Sequence, residues 1–76
     1  NKASQKAFGI RKAYDILGAQ ESDDMESIKK KYRALVKEYH PDILMGQGKE
    51  QSIIDAATTK LQEINEAYEM IKKEKS

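Results

Sequence analysis

The chain contains a single proline, Pro41, which limits where helices can run through the sequence. Proline has no amide hydrogen, and its ring disfavours helical geometry at the preceding residue, so a helix approaching Pro41 is predicted to end near Tyr39. The only histidine, His40, and the carboxylate of Asp42 then lie on an exposed turn on either side of the proline. Taken alone, this tripeptide is as compatible with a helix stop between two incidental polar residues as with a functional turn.

The segment before the proline is predicted to form an amphipathic helix over about residues 24–39. Asp23 is a candidate N-cap, and Glu26, three residues later, would complete a capping box. Apolar side chains recur at steps of three and four, which predicts one stripe that faces the core. They are Met25, Ile28, Tyr32, Leu35, Val36 and Tyr39.

The segment after the proline is predicted to be a loop followed by a long helix. Gly46 and Gly48 argue against a helix through residues 43–49, although some of the apolar side chains at 43–45 should fold back onto the core. Ser52, with Asp55 three residues later, is a candidate cap for a helix over about residues 51–73. Its apolar stripe comprises Ile54, Ala57, Leu61, Ile64, Tyr68 and Ile71.

A short apolar stretch near the beginning predicts a first helix over about residues 12–17, ended by Gly18. Gly9 argues against an unbroken helix from Ser4, although Ala7, Phe8 and Ile10 could pack as a preceding turn. The predicted fold is therefore all-α: two antiparallel helices form a hairpin, and the short first helix packs across them. Stripes of such regularity belong to a core rather than to a binding surface.

Composition restricts the class of protein. The 76 residues suffice for one domain with a small core, and the lack of cysteine removes disulfides and thiolate metal sites. No apolar run approaches the roughly 20 residues that cross a bilayer, and residues 1–10 do not form a secretory signal. Because the chain begins with Asn1, we expect it to be a piece of a longer protein, with residues 1–11 an upstream segment and residues 12–76 the domain.

Positive charge is concentrated on the helix before the proline. Residues 25–39 carry five Lys and Arg against two Glu, whereas residues 51–76 carry one more acidic residue than basic ones. A charge run is usually a solvated face, and the rival functional hypothesis is a small nucleic-acid-binding domain, which the acidic residues elsewhere oppose. An enzyme is less expected, because one histidine and scattered carboxylates make no metal site and residues 46–49 lack phosphate-loop spacing. We expect no cofactor and no metal.

Four blocks in order carry a family resemblance over about residues 12–72. The segments Ala13–Gly18, Ile28–Tyr39, His40–Asp42 and Glu63–Glu69 together resemble the J-domain of DnaJ-type co-chaperones. The resemblance implies a helical hairpin that binds a DnaK-type heat-shock chaperone, stimulates its ATP hydrolysis and so promotes substrate capture, without being an enzyme itself. A degenerate J-like interaction scaffold is the alternative within the same fold.

The resemblance also implies which residues act. The stimulating turn matches at His40, Pro41 and Asp42. The docking surface on the basic helix matches at Lys29 and Arg33, with Lys30, Lys37 and Tyr32 beside them. Exposed lysines on one helix suit a fast, salt-sensitive attraction to an acidic partner, and the turn would add specificity. We expect this domain to be a monomer that contacts neither nucleic acid nor membrane directly.

The sequence departs from the commonest J-domain pattern at several positions. Ala34 and Ile43 stand where basic residues are frequent, the segment after Asp42 is long, and no further helix is evident before Ser76. These features are most similar to the C-terminal J-domain of DjlA-type proteins. That likeness implies a domain in the cytoplasm, held at the cytoplasmic face of a membrane by other parts of its parent protein.

Overall fold

The computed structural model describes residues 9–75, which form four helices and no strand. In chain order they are α1 (Ile10–Leu17), α2 (Met25–Tyr39), α3 (Pro41–Gly46) and α4 (Gln51–Lys75). The predicted all-α class is confirmed. None of these helices has the length and apolar character that crossing a membrane requires.

Helix α1 begins two residues before its predicted start and ends where predicted. Gly9 occupies the N-cap position in an extended conformation, with no side chain to accept the first amides. Gly18 ends the helix with φ 68°, a left-handed geometry that glycine adopts without steric cost, and its amide donates to the Asp15 carbonyl at 3.0 Å. The suggested packing of Ala7 and Phe8 lies outside the described residues, while Ile10 is the first residue of the helix.

Helix α2 has the predicted extent but a different cap. Asp24, not Asp23, is the N-cap, and its carboxylate accepts the Ser27 amide at 2.9 Å. The prediction that Asp23 forms a capping box with Glu26 was wrong. Asp23 instead accepts the amide of Gln20 and the ammonium of Lys31, which lies further along α2.

Helix α3 corrects the predicted loop over residues 43–49. Pro41 occupies its first turn, where a missing amide hydrogen costs nothing, and Gly48 follows its end with φ 78°. Leu44 folds back onto the core, as predicted for some of this segment, and is 8% exposed. Ile43 and Met45 remain exposed.

Helix α4 begins just after Glu50, whose carbonyl accepts the amides of Ile53 and Ile54 at 3.0 Å. Ser52 therefore lies inside the first turn, and its prediction as the cap was wrong. The carboxylate of Asp55 accepts a hydrogen bond from the side chain of Gln51 at 2.9 Å rather than from a backbone amide.

The long helices α2 and α4 are antiparallel, as predicted. Near the middle of both, the Tyr32 hydroxyl of α2 donates to the Asn65 side chain of α4 at 2.7 Å. At one end, the Lys75 ammonium donates to the Glu21 carbonyl just before α2. At the other end, Tyr39 packs against the apolar side chains at the start of α4. Helix α1 packs chiefly against α4 and also contacts α2.

Two hydrophobic clusters hold these helices together. The larger one joins α1, α2 and α4 around Ile28, Ile64 and Ile71, whose side chains are fully buried. The smaller one consists of Leu44, Ile54 and Ala57. Most of the predicted stripes pack in these clusters, but Val36 and Leu61 belong to neither of them. Ala67, which the prediction omitted, is fully buried between the two isoleucines of α4, since its small side chain lets the helices approach closely.

Candidate functional site

The tripeptide His40-Pro41-Asp42 is a junction between two helices rather than an open turn. His40 has an extended backbone, with φ −69° and ψ 124°, which is the geometry that the following proline favours. It serves both as the C-cap of α2 and as the N-cap of α3. The predicted end of the helix at Tyr39 is confirmed.

The ring of His40 stabilises the junction directly. Its Nδ1 accepts the backbone amide of Asp42 at 3.2 Å, and its carbonyl accepts the amide of Leu44 at 3.1 Å. A ring nitrogen that accepts a hydrogen bond carries no proton, so the neutral ring carries its proton on Nε2. His40 is half-buried and therefore less exposed than predicted.

Asp42 presents the exposed acidic group of the junction. It lies in the first turn of α3, and its carboxylate forms no ion pair or hydrogen bond within residues 9–75. An exposed carboxylate of this kind can accept charge-assisted hydrogen bonds from a partner's arginine or backbone amides. Pro41 beside it is half-buried, and its ring restricts the direction in which the backbone passes from α2 to α3.

The exposed side of α2 forms a basic face, defined here by Lys29, Lys30, Arg33 and Lys37. In the part of the chain from residue 9 to residue 75, none of these four cations has a hydrogen-bond or ion-pair partner. Arg33 and Lys37 lie one helical turn apart, and Arg33 precedes His40 by seven residues, or about 10 Å along a helix. The basic face therefore leads along α2 toward the junction.

Lys31 is the basic residue of α2 that does not share this face. Its ammonium pairs with the carboxylate of Asp23 at 2.8 Å, and both side chains are partly shielded from water. The hydrogen bond from Lys31, and next the amide of Gln20, lower the pKa of Asp23 below its usual value. This pair anchors the segment before α2. Sequence reasoning missed it because Asp23 lies before the first residue of α2, where helical periodicity predicts no partner.

Tyr32 is placed differently from the other predicted docking residues. Its ring stacks on Tyr68 of α4, with centroids 4.1 Å apart and planes 9° from parallel. Its hydroxyl donates to Asn65 of α4, so one edge of Tyr32 contacts the other helix of the hairpin. The remaining surface borders the basic face beside Arg33. Tyr39 and Tyr68 pack in the core, as predicted for residues on the apolar stripes.

Within residues 9–75, no group of three or more His, Asp or Glu side chains is arranged to hold a metal ion. Among the described residues, a row of cations without ion-pair partners leads along α2 to a junction that presents one imidazole and one carboxylate.

Comparison with known proteins agrees with this geometry. Residues 12–76 match the DnaJ domain family. The co-chaperone protein DjlA of Vibrio cholerae is 44% identical over 83% of this chain and 22% of its own length. The DjlA proteins of Escherichia coli K12 and Aliivibrio fischeri are 39% and 40% identical over 95% of this chain.

The chain spans about a quarter of the length of these relatives, between 22% and 27%. No solved structure matches the chain with statistical significance. The resemblance to J-domains, and to those of DjlA-type proteins in particular, is confirmed by the family match and the relatives. The chain belongs to the DnaJ domain family.

Proposed function

We propose that this domain binds a DnaK-type heat-shock chaperone and stimulates its ATP hydrolysis through His40, Pro41 and Asp42. The domain catalyses no reaction itself and acts by changing the ATPase cycle of its partner. One observation carries the proposal: the basic face lies on α2 and the junction follows directly at the end of that helix, within a few turns of the face. A partner of moderate size can therefore contact both at once.

The two parts of the surface have different roles in this proposal. The basic face, with Lys29, Lys30, Arg33 and Lys37, attracts an acidic surface of the chaperone, and Tyr32 supports it from the edge. Exposed charges accelerate encounter and lose strength as salt rises. The junction supplies contacts that depend on geometry, because Pro41 and the His40 ring restrict how Asp42 is presented.

The stimulating role of the junction is tested by single-turnover ATP hydrolysis. A DnaK-type chaperone loaded with ATP is mixed with the wild-type domain, His40→Gln or Asp42→Asn. We expect the wild type to accelerate hydrolysis and both variants to lose the acceleration while keeping the helical circular-dichroism spectrum. Asp15→Asn is the matched control, since it neutralises an exposed carboxylate on α1, and it should stimulate like the wild type.

A further variant separates the ring of His40 from its capping role. Asparagine is a good N-cap, whereas the longer glutamine side chain is not. If His40 acts only by capping α3, His40→Asn should retain stimulation that His40→Gln loses. Under our proposal the ring contacts the chaperone itself, so both variants should be inactive. Stimulation by His40→Asn at the wild-type rate would contradict that direct contact.

The docking role is tested by reversing charge on the basic face. Lys29→Glu combined with Arg33→Glu should weaken chaperone binding most at low ionic strength, where charges are least screened. Arg11→Glu combined with Lys12→Glu is the control, because it changes the net charge equally on the exposed side of α1. Equal loss of binding by both pairs would mean that net charge alone, and not this face, attracts the partner.

We further propose that the parent protein holds this domain at the cytoplasmic face of a membrane. The support is the similarity to DjlA-type relatives, which are about four times as long as this chain. Fractionation of cells that produce the full-length parent tests the proposal. Recovery of the parent in the soluble fraction would contradict it.

A further inference from the structure

A groove of about 450 Å³ lies between the start of α1 and the last turns of α4. Its apolar part is formed by Ile10 and Met70, which are half-buried. Both side chains pack against the main core on one side, and the groove leaves their other side open to water. The groove therefore contains apolar surface that folding of the described residues has not covered.

The rim of this groove is negatively charged. It carries three exposed glutamates and one lysine, which leaves an excess of two negative charges; these residues are Glu66, Glu69, Glu74 and Lys73. Glu69 also lies 4.0 Å from Lys72, but both side chains are exposed, and pairs of that kind contribute little. An apolar groove with an acidic rim favours a ligand that carries an apolar side chain together with positive charge.

The chain itself has such a segment directly before α1. Gly9 lines the groove and is the N-cap of α1, with an extended backbone, so residues 1–8 join the domain at the groove itself. These eight residues include Lys2, Lys6 and Phe8, which is the only phenylalanine of the chain, and they include no acidic residue. Eight residues span up to about 26–29 Å when extended, whereas the glutamates of the rim extend over about 12 Å of helix.

We propose that residues 1–8 bind in this groove, with the ring of Phe8 against Met70 and the two lysines facing the glutamates of the rim. All the described residues that line the groove belong to α4, to α1 or to its N-cap. A segment bound there leaves the basic face of α2 and the junction accessible. In a longer protein, this contact orients the domain relative to the part that precedes it, so that the basic face points away from that part.

NMR spectroscopy of the 76-residue chain tests the contact directly. The single phenylalanine gives one set of ring signals, and we expect nuclear Overhauser effects between these ring protons and the methyl group of Met70. Effects to Ile10 carry less weight, because this residue is a near neighbour in sequence. A folded domain that shows no Phe8–Met70 effect would overturn the proposal.

The same spectra test where the segment lies. Phe8→Ala should change the amide chemical shifts of α1 and of the last turns of α4, and leave those of the basic face unchanged. Changes concentrated on α2 would overturn the proposed location. Neither NMR result depends on the proposed function, so a failure of this inference is distinguishable from a failure of chaperone binding.

Thermal unfolding measures the apolar contact. Phe8→Ala should lower the midpoint by about 4 °C or more, because it exposes apolar surface at the groove. Met45→Ala is the matched control, since Met45 is 60% exposed and its truncation should shift the midpoint less. Equal shifts in the two variants would contradict a buried Phe8.

The charged contact is measured by the same melts at two salt concentrations. Lys6→Gln should lower the midpoint at low ionic strength and have little effect at high ionic strength, where charges are screened. Lys49→Gln is the control, because Lys49 is an exposed lysine near the other end of α4. If both variants responded to salt alike, the rim would not attract the lysines of the segment.

Discussion

The core can be tested by making one substitution at two positions of α4 that differ in burial. Ile64 is fully buried, whereas Ile53 on the same helix is 47% exposed. Changing either to alanine removes the same three carbon atoms. At ~0.8 kcal/mol for each buried carbon, Ile64→Ala loses about 2.4 kcal/mol of transfer free energy, and the cavity raises the cost to about 3–4 kcal/mol. Stability totals about 4–11 kcal/mol for a domain of 76 residues, so this is a large fraction.

The expected cost at Ile53 is smaller for two physical reasons. About half of its side chain is already in water, so less transfer free energy is lost. Alanine also has a higher helix propensity than isoleucine, which offsets part of the loss. We therefore expect Ile53→Ala to cost under about 1 kcal/mol.

Thermal and urea unfolding followed by circular dichroism measure both variants. Ile64→Ala should lower the midpoint by about 12–32 °C, using ~4–8 °C per kcal/mol for domains of this size. Ile53→Ala should shift it by a few degrees at most. Free energies of unfolding that differ by less than ~1 kcal/mol between the two variants would refute the assignment of Ile64 to the main core.

Further variants test the cap, the hairpin contact, the ion pair and α3. Asp24→Ala should lower the free energy of unfolding by about 1 kcal/mol in urea titrations, because an N-cap is lost. Tyr32→Phe should cost about 0.5–1.5 kcal/mol in the same assay, since it removes the hydrogen bond to α4 but keeps the stacked ring. The hydrogen bond from Lys31 lowers the pKa of Asp23, so this carboxylate contributes stability above its unfolded pKa and loses it as pH falls through the folded pKa. Between about pH 5 and pH 2, thermal melts should therefore show a smaller stability loss for Asp23→Asn than for the wild type. Leu44→Ala should reduce stimulation of ATP hydrolysis, yet lower the global midpoint less than the buried α4 variant does, because Leu44 packs in the smaller cluster.

The sequence was sufficient to predict the hairpin because its apolar side chains recur at the period of an α-helix. Two stripes spaced by three and four residues require two faces to be buried against each other, and Ile28, Ile64 and Ile71 are fully buried. Ala67 could have been added by the same rule, since it lies three residues after one of these isoleucines and four before another. The periodic rule fails at Val36 and Leu61, which lie on the predicted stripes but pack in neither cluster.

The helix ends were harder to predict because adjacent residues have similar capping ability. Asp23 and Asp24 are both good caps in isolation, and the ammonium of Lys31 decides between them by pairing with the first. The missed helix α3 had a readable signal. A proline at the first position and glycines near the end are typical of a short helix, whereas the glycines alone favour a loop.

The orientation of the junction relative to the basic face depends on one side chain that packs against both clusters. Tyr39, the last residue of α2, packs against the main core and also against Leu44, Ile54 and Ala57. Helix α3 is too short to be stable in isolation, so its orientation depends on that contact and on the cap from His40. Under our proposal, a chaperone that contacts the basic face meets Asp42 already positioned, and binding need not supply the free energy to order it. The histidine, the proline and the tyrosine before them therefore act together to orient α3.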